Sequence, residues 1–136
     1  MKIRYFAGLS VALLAAALYG LASTGPAGAA GGPNTKISFK GDVYPILKGY
    51  CASCHSPPNG EGFTASGLDL TTYQGVMKGT KYGPMIIPGD PENSNLMWLL
   101  DWRASPQLRM PHGAKQLPPD ERNTIRAWIR EGAKDN

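Results

Sequence analysis

Val43, Ile46, Leu47 and Tyr50 recur at the spacing of one helical face and predict an amphipathic helix that runs up to Cys51. Asp42 is the expected cap, and Pro45 falls in the first turn, where a missing N–H costs little. Phe39 is expected to pack just before the cap. Ile125, Trp128, Ile129 and Gly132 repeat the same spacing near the other end of the chain and predict a last helix from about Pro119 to Glu131. Asp120 and Glu121 suit its N-terminal dipole end, while Gly132 ends it and leaves room for close approach to the first helix. Arg122, Arg126 and Arg130 repeat every four residues on the opposite face. Such a stripe reads first as a solvated face and second as a docking patch.

Between these two helices the pattern is interrupted. Pro88-Gly89 make a turn, Asp90 is a capping residue and Pro91 suits a first helical position, so a helix is expected from Pro91 to about Trp102. Its apolar residues Leu96, Met97, Trp98, Leu99, Leu100 and Trp102 occupy more than one face, which implies burial on two sides. Thr71 or Thr72 caps a short helix through Met77. Residues 60–73, 79–89 and 103–117 read as turns and loops, with Leu68 and Leu70 pointing inward. No run is long enough to build a sheet, so the fold class is all-α with three to five helices.

The N-terminus is a different kind of segment. Lys2 and Arg4 precede an apolar run from Phe6 to Ala22, and small residues follow, including Ala27-Gly28-Ala29-Ala30. This is the pattern of an export signal cleaved after Ala29, with an uncleaved membrane anchor as the rival reading. Either places the rest of the chain outside the cytoplasm, periplasmic or otherwise exported. The expected layout is a leader over 1–29, a flexible lead-in over 30–37 and one domain over 38–136. The 136 residues carry a net charge of +4, and the charges at Lys2 and Arg4 lie in the leader, so nothing argues for nucleic acid as a partner. With 17 Gly, 12 Pro and only 9% aromatic residues, a core of this size gains from an added apolar group.

Both cysteines of the chain fall in Cys51-Ala52-Ser53-Cys54-His55, the CxxCH pattern of c-type haem attachment. On one helical turn, positions i, i+3 and i+4 share a face. Two thiols there can form thioethers to the haem vinyl groups while the imidazole of His55 lies over the iron as proximal ligand. A disulfide between Cys51 and Cys54 would close too small a loop to stabilise much. A thioredoxin-like pair wants a βαβ context, and a zinc site wants ligands beyond His112. The cofactor expected is therefore one haem c, held covalently. For the sixth position at the iron the candidates are Met77, Met85, Met97, Met110 and His112. Met110 is favoured, because Pro111 biases it towards an extended conformation in a loop and the chain between it and His55 is long enough to wrap a haem. His112 and Met85 stay open, whereas Met97 and Met77 suit packing.

The stretch from Phe39 to Leu47, the motif from Cys51 to His55, and then Gly67-Leu68-Asp69-Leu70, Ile87-Pro88-Gly89-Asp90-Pro91-Glu92, Met110-Pro111 and Trp128-Ile129-Arg130-Glu131-Gly132-Ala133 resemble the monohaem class I cytochromes c. The similarity is greatest to the planctomycete-type cytochrome c domain. The resemblance implies a cytochrome c-like fold with its helices wrapped around one covalent haem and with the first and last helices crossing. It implies that Cys51 and Cys54 carry the haem, that His55 is the proximal and Met110 the distal iron ligand, and that the protein is an electron carrier with no catalytic residues of its own. Redox proteins are the partners implied, meeting an exposed haem edge near Lys48, Lys78, Lys81 or Lys115. Membrane association follows only if the N-terminal segment is kept, as in an anchored subunit of a larger redox complex. The rival from a different class is a haem enzyme or a gas- or peroxide-binding sensor with an open sixth site and His112 as a distal group. A thiol–disulfide oxidoreductase would carry no haem at all.

Overall fold

A computed structural model describes residues 36–136. The expected leader, and most of the lead-in, lie outside the described residues. A π-helical turn, Phe39–Val43, leads into α1 (Tyr44–Tyr50). Then come α2 (Glu61–Ser66), α3 (Tyr73–Lys78), α4 (Asn95–Leu100), a 3-10 turn at Pro106–Leu108 and α5 (Pro119–Arg130). Among the described residues no strand forms; Thr80 and Gly83 make one isolated bridge. The all-helical expectation holds.

The first helix starts earlier than its apolar stripe implies. Ser38, not Asp42, is the cap: its hydroxyl accepts from the Gly41 N–H at 3.0 Å, and Asp42 reaches back to accept from the Ser38 N–H at 2.8 Å. The two side chains satisfy each other's orphan donors, so a carboxylate one turn into the helix looks like a cap in sequence. Val43, Ile46 and Leu47 are buried as the stripe predicts, whereas Tyr50 is exposed. Phe39 is buried within the first turn, its ring centroid 5.3 Å from Trp128 on α5 and 5.2 Å from Tyr73 on α3. This aromatic group is where the start of the domain meets the last helix. Gly132 has no part in it, because a Cβ built there would meet only Lys134, at 3.8 Å. Its φ of +99° ends the helix, and Ala133 is the buried residue that follows.

The ends of this unit are clasped. Lys40 N–H donates to the Asn136 carbonyl at 3.0 Å, Phe39 N–H to the Asn136 side chain at 2.9 Å and Ile37 N–H to Glu131 at 2.8 Å.

Two expectations for the middle of the chain need correction. The helix expected from Pro91 begins only at Asn95, because Asp90 and Ser94 serve the preceding turn. Asp90 accepts from Asn93 N–H and Nδ2, bonds that hold its carboxyl below the usual range. Ser94, fully buried, accepts from Ile87 N–H at 2.9 Å and donates to the Asp90 carbonyl at 2.7 Å. The helix α2 was expected to be loop, since none of its residues is buried and no apolar period marks it. Backbone bonds to the segment before it hold it instead. Elsewhere Thr72 caps α3 through the Gly75 N–H as expected, and Leu68, Leu70 and Met97 are buried in the core.

The arginine stripe of α5 is neither a solvated face nor a docking patch at two of its three positions. Asp101, which ends α4, accepts from Arg122 Nη1 at 2.9 Å and from Arg126 Nη2, with Arg103 at 3.8 Å. Glu92 pairs with Arg103 and Arg126 as well. The Asp101 side chain is only 11% exposed and those of Arg122 and Arg126 20%, so solvent screens these pairs weakly. A carboxylate at a helix C-terminus is normally unfavourable, and the arginines reverse that. Arg130 alone stays exposed. The substitution Asp101→Asn is expected to lower stability by about 2 kcal/mol, the scale of lost charge-assisted hydrogen bonds in a half-buried site. Urea unfolding checks it: an unchanged midpoint would show that the network is ornamental.

Candidate haem attachment site

The turn that carries the cysteines continues α1 beyond its regular end. Cys51 and Ala52 N–H groups both donate to the Leu47 carbonyl at 2.9 Å. Cys54 and His55 N–H groups both donate to the Cys51 carbonyl, at 3.1 and 2.9 Å. One hydrogen-bonded turn thus gathers both cysteines and the histidine, the arrangement that the i, i+3, i+4 spacing asks for.

The carbonyls of this turn are spoken for as well. Phe63 N–H, in α2, donates to the Cys54 carbonyl at 3.0 Å, and Leu70 N–H donates to the His55 carbonyl at 2.9 Å. Gly60 permits this approach: a Cβ there would lie 2.4 Å from the Cys54 carbonyl oxygen. Gly62 does the same for the imidazole. A Cβ at Gly62 would lie 2.7 Å from His55 Cε1 and 2.8 Å from Nε2, so the ring rests directly on the glycine backbone. Neither glycine had a signal in the sequence. Their role follows from contact with the motif rather than from any pattern of their own.

His55 is buried, and its Nδ1 has no hydrogen-bond partner. Burial pushes its pKa below the ordinary histidine value, with the Leu68 backbone opposing the shift without completing a hydrogen bond at Nδ1. A buried imidazole with an unsatisfied nitrogen costs free energy unless a further bond completes it. Both thiols are free; Cys54 is exposed and Cys51 half-buried. Burial, with Cys54 adding to it, pushes the Cys51 thiol up to about 11. A thiol–disulfide exchange centre depends on a depressed thiol pKa, so this environment is the wrong one for that rival. Two available thiols, an imidazole one position on and an orphaned ring nitrogen fit a covalently bound haem.

Met110 is placed by a different part of the chain. It follows the 3-10 turn, is half-buried against the core, and its N–H donates to the Leu99 carbonyl at 3.2 Å. Its own carbonyl accepts from Trp102 Nε1 at 3.0 Å. Of the other sixth-position candidates, Met97 and Met85 are buried, Met77 is half-buried and His112 is exposed. Lys48, Lys78, Lys81 and Lys115 are all exposed. A shallow cavity of about 330 Å³ lies between the π-helical turn and α3, lined by Phe39, Tyr44 and Tyr73, and includes none of the motif. Among the described residues no three His, Cys, Asp or Glu side chains gather as a metal cluster, and no helix is long and apolar enough to cross a membrane.

The family model described as Planctomycete cytochrome C matches residues 51–112, from the first cysteine of the motif through Met110 to His112. The chain carries a planctomycete-type cytochrome c domain. Comparison with curated proteins and with solved structures gave no match. Cytochrome c domains typically serve haem-based electron transfer, which makes haem c the cofactor that this domain implies. A Cβ at Gly62 would collide with the His55 ring, so the seat is exacting. Gly62→Ala is expected to cut the haem-to-protein ratio of the exported protein severalfold, read from haemochrome absorbance against total protein. A normal ratio would show that the glycine is dispensable.

Proposed function

We propose that this is a monohaem c-type cytochrome that carries single electrons between exported redox partners. The observation that carries the reading is the gathering of two free thiols and an orphaned, buried imidazole in one hydrogen-bonded turn. Haem bound there would supply an iron that alternates between ferric and ferrous. Cys51 and Cys54 would form the two thioethers, His55 would ligate the iron on one side and Met110 on the other. With both cysteines of the chain in one motif, the count is one haem.

The division of labour among the residues follows from their surroundings. Cys51 and Cys54 prevent loss of the cofactor in an open, dilute compartment. His55 and Met110 are held by backbone bonds, so both ligands stay put as charge changes, which keeps reorganisation small. A His/Met pair favours a raised potential. Leu68, Leu70, Met85 and Ile86 are buried in the core and would supply an apolar wall. The exposed lysines support docking to an acidic redox partner through a small, salt-sensitive contact. Nothing in this scheme needs a proton donor or a substrate pocket. An exported location, with the leader over 1–29 removed and the cytochrome domain over 38–136, suits the chemistry of haem attachment.

The test is a comparison of ferric and ferrous visible spectra for wild type and Met110→Ala, exported with cytochrome c maturation active. A low-spin wild type is expected, with a sulfur-to-iron band near the red edge that vanishes in the variant. An unchanged variant would reject Met110 as ligand. A high-spin wild type would move the reading to a ligand-binding sensor or enzyme, and absence of haem would reject the whole assignment.

A further inference from the structure

Trp102 has φ +58°, a left-handed backbone conformation that bulky side chains rarely adopt. Such conformations persist where the surroundings over-determine them. Here the surroundings are visible on both sides. Asp101, the residue before, is tied to α5 by Arg122 and Arg126. The indole itself donates to the Met110 carbonyl at 3.0 Å, and the Arg109 guanidinium lies over its ring, 5.3 Å from the centroid. The Met110 N–H is already taken by Leu99 at 3.2 Å. Both backbone polar groups of Met110 therefore end on the last turn of α4 and on Trp102, two residues beyond it. Nothing else in the loop from Arg103 to Leu117 is held at both its N–H and its carbonyl in this way.

We propose that Trp102 is a positioning residue for Met110: its indole N–H latches the peptide that carries the thioether and so sets how often the sixth position at the iron opens. The proposal rests on the reading of Met110 as that ligand. It makes the strained residue a hinge pin between α5 and the ligand loop, with Asp101 on one side and Met110 on the other.

An external base can reach the iron only when Met110 leaves, so its apparent affinity scales with the open fraction. The experiment titrates imidazole into the haem-loaded proteins and follows loss of the red-edge sulfur band. Trp102→Phe keeps a ring and removes the N–H. Loss of one such hydrogen bond is expected to raise imidazole affinity about three- to tenfold. Trp98→Phe is the control, since the Trp98 indole donates to the Glu92 carbonyl at 2.9 Å and not to Met110. It should leave imidazole affinity as in wild type. Equal affinities in wild type and Trp102→Phe would overturn the latch, as would a rise of the same size in Trp98→Phe. A wild type without the sulfur band would instead overturn the ligand reading beneath it. Should Trp102→Phe fail to accumulate with haem, hydrogen exchange of the wild-type Trp102 indole N–H decides: protection like that of core helices supports the latch, and exchange at the rate of an exposed indole refutes it.

Discussion

The imidazole of His55 has a place only because residue 62 has no side chain. That single close approach fixes the distance between α2 and the turn that follows α1, and the surrounding bonds are consistent with it. Phe63 can reach the Cys54 carbonyl, and Leu70 the His55 carbonyl, only if α2 sits this near. The haem motif is therefore not a flexible pendant of the first helix. Its carbonyls are bonded from outside, its thiols are left free, and the histidine is seated against backbone, which cannot yield as a side chain would.

The rest of the unit keeps two such positions in register. On one side the rings of Phe39, Tyr73 and Trp128 join the start of the domain to α3 and α5. On the other, Asp101 gathers arginines from α5 and fixes the end of α4, from which the segment with Met110 is hung. The two helices nearest the proposed iron ligands are thus both referred to α5, the longest helix described. Apolar burial sets the first junction and charge-assisted hydrogen bonds the second. They respond to different conditions: the first weakens on cooling, the second with loss of a single carboxylate.

Much of this was legible because local rules and tertiary needs agreed. The stripes Val43–Ile46–Leu47 and Ile125–Trp128–Ile129 declare helices whose buried faces are the ones observed, and the CxxCH spacing declares its own chemistry. Where sequence reasoning went astray, a side chain had two uses. Asp42 and Asp90 both look like caps, yet one completes a cap begun by Ser38 and the other closes a turn with Asn93. Arg122 and Arg126 look solvent-facing by period, and only the position of Asp101, 21 and 25 residues earlier by sequence and unconnected by any pattern, reveals their partner. Gly60 and Gly62 are silent for the same reason. A glycine required by contact with a distant turn leaves no periodic trace.

The clasp of Asn136 over Phe39 and Lys40 brings the two ends of the described chain to one small area. A segment continuing before Lys36 and one continuing beyond Asn136 would leave the domain side by side, like both cords of a purse. Tension applied through the two ends would therefore meet the clasp bonds one after another, in the manner of a zip, and the turn with the two cysteines would feel load only after those bonds had parted.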